Sequence, residues 1–490
     1  MTSTLATGDW GWPQVVLGHQ RLAPNNDPFK HQPKIKMTKP THQTVALVLF
    51  ILLAFPVMST ARPPNVLFIL GDDQAWTDYG FMGHPDIKTP HLDKLAAGGV
   101  VFRRGYVPTA LCRPSLMSLA TGHYASTHGV TGNDPSRKYW PNRSDELNVK
   151  RGELISFIKN FETLPALLAE AGYLSHQSGK WWEGSYQHGG FTHGMTRGWP
   201  NEGCRAGDDG KKIGRETLQP CTEFIDKAVA KNMPFYMWYA PLLPHTPHNP
   251  PERILNKYIN NHPVSIAKYY AMCEWFDETC GQLIGYLETK GIRDNTLIVF
   301  VSDNGWIQNP TSKGFTTRSK QSPYEGGVRQ PIIFSWPGKL KAQDRKELAT
   351  SLDIFPTILA ATGARQPKKK LPGINLLPYM KEQSEISRKA IFGETFAHDI
   401  ADLQDHEKSL LYRWCIKDKW KLLLTYDGEI FKYPDVHDRT EKRPQLFDLR
   451  NDPQERHNLA GDHPELVKEM VGMIDAWYPV KRAKTVKVFK

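Results

Sequence analysis

Hydrophobic residues in this chain come in two rhythms. Short uninterrupted apolar runs occupy residues 65–70 (NVLFIL), 234–240 (PFYMWYA), 296–301 (TLIVFV) and 331–335, with a further run at 100–106. Runs of that length, bounded by Gly, Pro and polar residues, predict strands buried on both faces of a parallel sheet. Between them, apolar positions recur with helical spacing at 92–97, 163–171, 266–287 and 352–361, and Gly172 is the expected stop of the second of these. Strand and helix alternate, which predicts an α/β fold: a doubly wound, mainly parallel sheet. Later strand-like runs at 390–393, 412–416, 420–425 and 446–449, closed by a helix at 466–478, predict a smaller α+β subdomain with an antiparallel sheet. The basic, proline-bearing stretch 364–374 (ARQPKKKLPGI) marks the approach to it. The division expected is 1–61 upstream extension and signal peptide, 62–374 catalytic domain, 375–480 C-terminal subdomain and 481–490 basic tail.

Another apolar run, 45–58 (VALVLFILLAFPVM), carries no charge and is followed by Ser59-Thr60-Ala61. Fourteen residues are too few for a membrane span of about 20, and small residues follow, so a signal peptide is expected rather than a stable membrane anchor. The mature chain would be exported, periplasmic or secreted. Net charge is +11 for the 490 residues. The first 61 hold five Lys/Arg and two Asp/Glu, so about +8 remains without them. That balance favours acidic partners. No Arg/Lys-rich helix with interleaved aromatics appears, which points to an anionic polysaccharide rather than nucleic acid. Of six cysteines, Cys204 and Cys221 flank a Gly/Lys-rich loop and could pair, whereas Cys273 and Cys280 lie two turns apart on one helix, beyond bonding reach.

The chemistry-bearing residues sit where the predicted strands end. Asp72 and Asp73 follow the first run, Asp303 and Asn304 follow the run at 296–301, Lys180 follows a strand near 173–177, and His245 lies on a proline-stiffened loop after 234–240. Open α/β sheets bind ligands at these strand ends. Adjacent acids repel unless a cation lies between them, and oxygen donors from two strand tips suit a hard divalent ion. Cys112 opens a predicted helix, 112–121, with Pro114 in its first turn, Ser115 as a capping group and Gly122 as its stop. A thiol at a helix N-terminus is expected to ionise more easily.

Taken in order, Gly71-Asp72-Asp73, Thr89-Pro90-His91-Leu92-Asp93, Cys112-Arg113-Pro114-Ser115, Gly179-Lys180-Trp181, Pro244-His245-Thr246-Pro247, Ser302-Asp303-Asn304-Gly305, Tyr324-Glu325-Gly326-Gly327 and Asp452-Pro453-Gln454-Glu455 resemble the formylglycine-dependent sulfatases of the alkaline phosphatase superfamily, in particular the bacterial carbohydrate type. The resemblance spans nearly all of the chain beyond residue 61. It implies that a formylglycine-generating enzyme oxidises Cys112 to formylglycine, the nucleophile. It implies that Asp72, Asp73, Asp303 and Asn304, together with the group at 112, hold calcium, with magnesium the alternative. Lys180 and Lys320 would bind sulfate oxygens, and His245 would protonate the leaving oxygen of a sulfated oligo- or polysaccharide. Two positions depart from the family pattern: Leu116 replaces an arginine and Trp182 a histidine. His188 or His193 could supply the missing polar group. The same scaffold also serves phosphodiesterases and phosphonate hydrolases, and a binding protein without turnover is the remaining alternative.

Overall fold

The uninterrupted apolar runs form the middle of an eight-stranded sheet. The computed structural model describes residues 62–480 apart from 142–143, 200, 202–209 and 438–439. The 45–58 run, Cys204 and the 481–490 tail lie outside the described residues. The strands are β1 (Asn65–Gly71), β2 (Val100–Tyr106), β3 (Leu174–Gly179), β4 (His193–Gly194), β5 (Phe235–Ala240), β6 (Thr296–Ser302), β7 (Ile332–Ser335) and β8 (Gln343–Thr350). They lie in the order β4-β3-β5-β1-β6-β7-β2-β8. Every neighbouring pair is parallel except those made by β7, which runs antiparallel to both β6 and β2.

Both faces of the sheet are covered, as the runs require. Val66, Phe68 and Leu70 of β1 face one apolar core with Tyr236, Trp238, Leu297, Val299 and Val301. The alternate residues Leu67 and Ile69 face the other with Phe235, Met237, Ile298 and Phe300. Each such side chain contributes about 1.5–3 kcal/mol by leaving water. The second core also takes one flank of the long helix Val264–Thr289 through Met272, Phe276, Cys280, Leu283 and Leu287. Cys273 and Cys280 on it are both unbonded thiols, in keeping with their spacing.

Beyond β8 lie β9 (Ile391–Phe396), β10 (Leu410–Lys417), β11 (Trp420–Thr425) and β12 (Gln445–Asp448), antiparallel in that order. The helix Pro464–Trp477 lays Val467, Met470 and Ile474, one helical stripe, against Leu422 and Leu424. This late sheet is joined to the earlier chain by buried charge. Lys421 Nζ lies 3.0 Å from Glu325 Oε1 and 3.0 Å from Glu455 Oε1, and Tyr106 donates to Glu325 Oε2 at 3.0 Å. Glu455 Oε2 accepts from the Glu325 backbone N–H at 2.6 Å, and Arg318 donates to the Glu455 carbonyl at 2.6 Å. The segment 318–325, which includes Lys320, is thereby braced by residue 455.

The sequence pattern missed β8 and the helices Asp145–Ser156 and Gln219–Ala230. β8 reads QDRKELAT, mostly polar, because it is an edge strand paired only with β2. No helix among the described residues is long and apolar enough to cross a membrane.

Candidate active site

Register brings the chemistry together. In the sheet β3, β5, β1 and β6 are consecutive, Gly179 pairs with Ala240, and Gly71 pairs with Ser302. The four strands therefore end level, and the residues that follow them stand side by side at a spacing of about 4.8 Å per strand. Asp72 then bridges to Pro244, one residue before His245. Two backbone features sharpen the turns. Gly179 has φ 80°, and a Cβ there would run into the Ala240 carbonyl; only glycine lets the chain release Lys180 at that point. Asp73 has φ 67°, a left-handed conformation that costs a non-glycine residue about 1–3 kcal/mol and recurs at functional sites. Cys112 arrives from across the sheet as the first residue of the helix Cys112–Thr121, after β2.

All eight predicted site residues converge. Lys180 Nζ lies 2.5 Å from Asp72 Oδ1 and 3.3 Å from Asp303 Oδ2. Lys320 Nζ donates to both oxygens of Asp73, each at 2.6 Å, and lies 3.0 Å from Cys112 Sγ. That sulfur is 3.9 Å from Asp73 Oδ1, which also accepts from Asn304 Nδ2 at 2.7 Å. The Asp73 backbone N–H donates to Asp303 Oδ1 at 3.2 Å. His245 Nδ1 sits 2.7 Å from the Thr246 carbonyl, so it carries the hydrogen, and Nε2 faces Asp73 Oδ2 at 3.4 Å. Asp72, Asp73, Cys112 and His245 can each place a ligand atom within 4.8 Å of the others.

Burial dominates the electrostatics. It pushes Asp303 up to about 7 and raises Asp72. Burial acts on Asp73 in the same direction, but Lys320, helped by His245 and Lys180, outweighs it and holds that carboxyl well below its ordinary range. Burial also pulls His245 down to about 4, against the attraction of Asp73, so the imidazole is neutral near pH 7. The thiol corrects the sequence expectation. Cys112 is pushed up to about 12 because its burial, helped by Asp303 and Asp73, exceeds the help of Lys180 and Lys320. A thiolate nucleophile is thus disfavoured. Ser115 is likewise no cap: Leu111 is the N-cap residue, and the Ser115 hydroxyl is buried without a partner among the described residues.

The donor set fits a hard cation. Three carboxylates face two ammonium groups, leaving a net charge of −1 with the carboxylates ionised, in a buried place. Asp72 Oδ2 and Asn304 Oδ1 are buried oxygens without a hydrogen-bond partner among the described residues. Unsatisfied acceptors of this kind, beside Asp73 and Asp303, match the oxygen coordination of calcium or magnesium.

The departures from the family pattern have structural outcomes. Leu116 is 4% exposed and joins the apolar core. Trp182 lines the cavity above Cys112, and the Arg113 guanidinium lies 5.9 Å from its ring centroid. Arg113 forms a buried two-pronged pair with Glu183 at 2.7 and 2.8 Å and donates to the Asn133 carbonyl at 3.2 Å. Neither His188 nor His193 lines the cavity. His188 accepts from the Ser185 N–H, and His193 packs on Phe224, so the suggestion that either serves Cys112 falls.

Three residues that the sequence did not single out belong to the site. Arg215 donates to the carbonyls of Leu242 at 2.7 Å, His245 at 2.8 Å and Pro247 at 3.2 Å, and to the Asn249 side chain. It clamps the loop that presents His245. Asn133 accepts from the Arg113 N–H at 3.1 Å through Oδ1, which leaves Nδ2 to donate to His398 Nε2 at 3.2 Å. His398 is therefore a neutral imidazole whose Nδ1–H donates to Asp399 at 2.5 Å. No local motif marks these residues: Arg215 works through backbone carbonyls, and Asn133 and His398 meet across 265 positions.

Comparison with known proteins agrees with this geometry. The sequence profile of the sulfatase family matches residues 64–364, and that of the N-sulphoglucosamine sulphohydrolase C-terminal region matches residues 315–476. The chain belongs to the sulfatase family, and with it to the sulfuric ester hydrolases. N-acetylgalactosamine-6-sulfatase of Mus musculus is 28% identical over 447 residues, covering 81% of this chain and 82% of that protein. Arylsulfatase A of Homo sapiens is 26% identical over 476 residues, covering 84% and 87%. Among solved structures, Ps i-CgsB in complex with k-i-k-neocarrahexaose superposes with TM-score 0.68 at 25% identity, covering 85% of this chain and 93% of that one.

Proposed function

We propose that this protein removes sulfate from a sulfated carbohydrate by hydrolysis of the sulfate ester. In this reading Cys112 is converted to formylglycine by a formylglycine-generating enzyme, and Asp72, Asp73, Asp303 and Asn304 hold a calcium ion. The observation that carries it is the convergence at one cavity floor of Cys112, two buried lysines and an acid cluster with unsatisfied oxygens. The cation would supply charge neutralisation for the sulfate oxygens. Lys180 and Lys320 supply the rest from fixed positions, which is worth most where water is excluded. A buried thiol held near 12 serves poorly as a nucleophile, which supports a role for Cys112 after conversion. His245 starts neutral. The negative charge of a bound sulfate raises its basicity, so Nε2 can take up a proton from solvent water and deliver it to the sugar oxygen as the S–O bond breaks. The sugar class is supported by the names of the relatives and by a cavity of about 1280 Å³ whose rim carries Lys211, Lys268, Lys313 and Lys432. Export to the periplasm or the medium is proposed from the 45–58 run.

The test is co-expression with a formylglycine-generating enzyme, followed by mass spectrometry of the Cys112 peptide and assay of sulfate release. Conversion of the thiol to an aldehyde and release from sulfated sugars are expected. Activity unchanged in Cys112→Ala refutes the reading.

A further inference from the structure

The cavity has one wall that the chemistry at its floor does not use. Trp306 starts it: Lys320 Nζ lies 5.6 Å from its ring centroid and 3.0 Å from Cys112 Sγ, so this ring borders the reacting centre. Phe315 follows at 4.9 Å between centroids, and Tyr433 at 6.2 Å from Phe315. All three line the cavity. The arc thus leads outward from the reacting group by ring-sized steps.

Tyr433 is the unusual member. It is 42% exposed, whereas large apolar side chains in this protein are mostly buried. Its backbone is left-handed, φ 58° and ψ 49°, a conformation that costs an aromatic residue energy. Tyr433 also meets His398 edge-on at 5.3 Å, but folding gains less from an aromatic side chain left 42% exposed on a strained turn than from a buried one, so a use for the open part of its ring is sought in a ligand. Two cations flank the arc within the cavity lining, Lys313 two residues before Phe315 and Lys432 immediately before Tyr433. Among the described residues, the only carboxylate in that lining is Glu216.

Exposed aromatic faces beside ammonium groups match a molecule with an apolar ring face and an anionic edge. We propose that Phe315 and Tyr433, with Lys313 and Lys432, form a second sugar subsite. It takes the pyranose next to the one being desulfated, stacking its C–H face on the rings and pairing a sulfate or carboxylate of that ring with the lysines. This deepens and rests on the carbohydrate-sulfatase reading. It makes the preferred substrate an oligosaccharide with anionic groups on adjacent rings.

The test compares three substrates for the converted enzyme: a small aryl sulfate, a monosaccharide sulfate, and whichever tetrasaccharide of a chondroitin, heparan and carrageenan panel is turned over fastest. Tyr433→Ala is expected to lose about tenfold in kcat/KM on the tetrasaccharide, mainly through KM, while Tyr433→Trp retains it. Aryl sulfate and monosaccharide sulfate are expected to be turned over unchanged by both variants, which also shows that they fold. Lys432→Ala should shrink the preference for tetrasaccharides charged on adjacent rings over those charged on one. Equal losses on all substrates, or none on the tetrasaccharide, overturn the subsite. Calorimetric titration of Cys112→Ala protein with the panel separates the two readings. If the converted enzyme hydrolyses nothing, weaker binding in Cys112→Ala/Tyr433→Ala than in Cys112→Ala rejects the function and keeps the subsite. Unaltered binding, or no binding by either protein, rejects the subsite.

Discussion

Replacing Arg215 by alanine should slow the enzyme according to how badly the departing oxygen needs a proton. The guanidinium makes four hydrogen bonds to residues 242–249, at 2.7, 2.8 and 3.2 Å to three carbonyls and one to Asn249. Hydrogen bonds to a charged group contribute about 1.5–3 kcal/mol each when buried, and Arg215 is half-buried, so the lower end applies. Losing all four releases the loop that sets His245 Nε2 at 3.4 Å from Asp73. A shift of about 1 Å in a catalytic group costs about 100-fold, within the range of about 10²–10⁴ that general acid–base catalysis supplies. A sugar sulfate leaves as a strongly basic alkoxide and needs the proton; a nitrophenyl sulfate leaves as a stabilised phenolate and hardly does. Arg215→Ala should therefore lower kcat about 100-fold on a sugar sulfate and by no more than about threefold on a nitrophenyl sulfate. Arg215→Lys should recover only part, since one ammonium cannot span four acceptors. Steady-state kinetics on both substrates, with melting curves to confirm folding, decide the matter. An equal loss on the two esters would mean that Arg215 does not act through His245.

Three further outcomes follow from the same structure. Burial pushes Glu394 up to about 7, and its Oε2 is buried without a partner among the described residues, so the folded protein holds this carboxyl protonated more strongly than the unfolded chain does. Its contribution is therefore full below about pH 4.5 and lost as pH rises through about 7, an effect of about 3 kcal/mol; Glu394→Gln should raise urea stability at pH 8 relative to the natural chain and flatten its decline between pH 5 and 8, and parallel curves for the two proteins would exclude this. Glu183→Gln leaves Arg113 charged and buried, so it should cost about 3–5 kcal/mol of stability, whereas Arg113→Met with Glu183→Leu should cost less than either single change; a double variant as unstable as the sum would contradict that account. Chelation should abolish sulfate release, and calcium added back should restore it, with Asp73→Asn lowering the calcium affinity measured by calorimetry; full activity in excess chelator rules the cation out.

The fold was legible where burial is two-sided. β1, β5 and β6 are read directly because parallel strands covered on both faces need no polar positions. The ends of those strands then exposed Asp72, Asp73, Asp303, Asn304 and His245 as neighbours in space though far apart in sequence. What stayed hidden depends on partners rather than on local pattern. β8 is polar because it lies at an edge, Arg215 works through carbonyls that no side chain announces, and His398 meets Asn133 across 265 positions. The Cys112 thiol was misread for a related reason. Its helix terminus is visible in the sequence, but the burial that pushes the thiol up arises only once Lys320 and the strand ends close around it.

The tie between Lys320 and the far end of the chain has a consequence for synthesis. Glu455 caps the Glu325 N–H, pairs with Lys421 and accepts from Arg318, so the segment that carries Lys320 lacks these braces until residue 455 has left the ribosome. The strands that bear the acids emerge long before that. A nascent chain thus passes through a period with its acid cluster ready and the Lys320 segment not yet braced from its far side, and a cut made before residue 455 removes that brace for good.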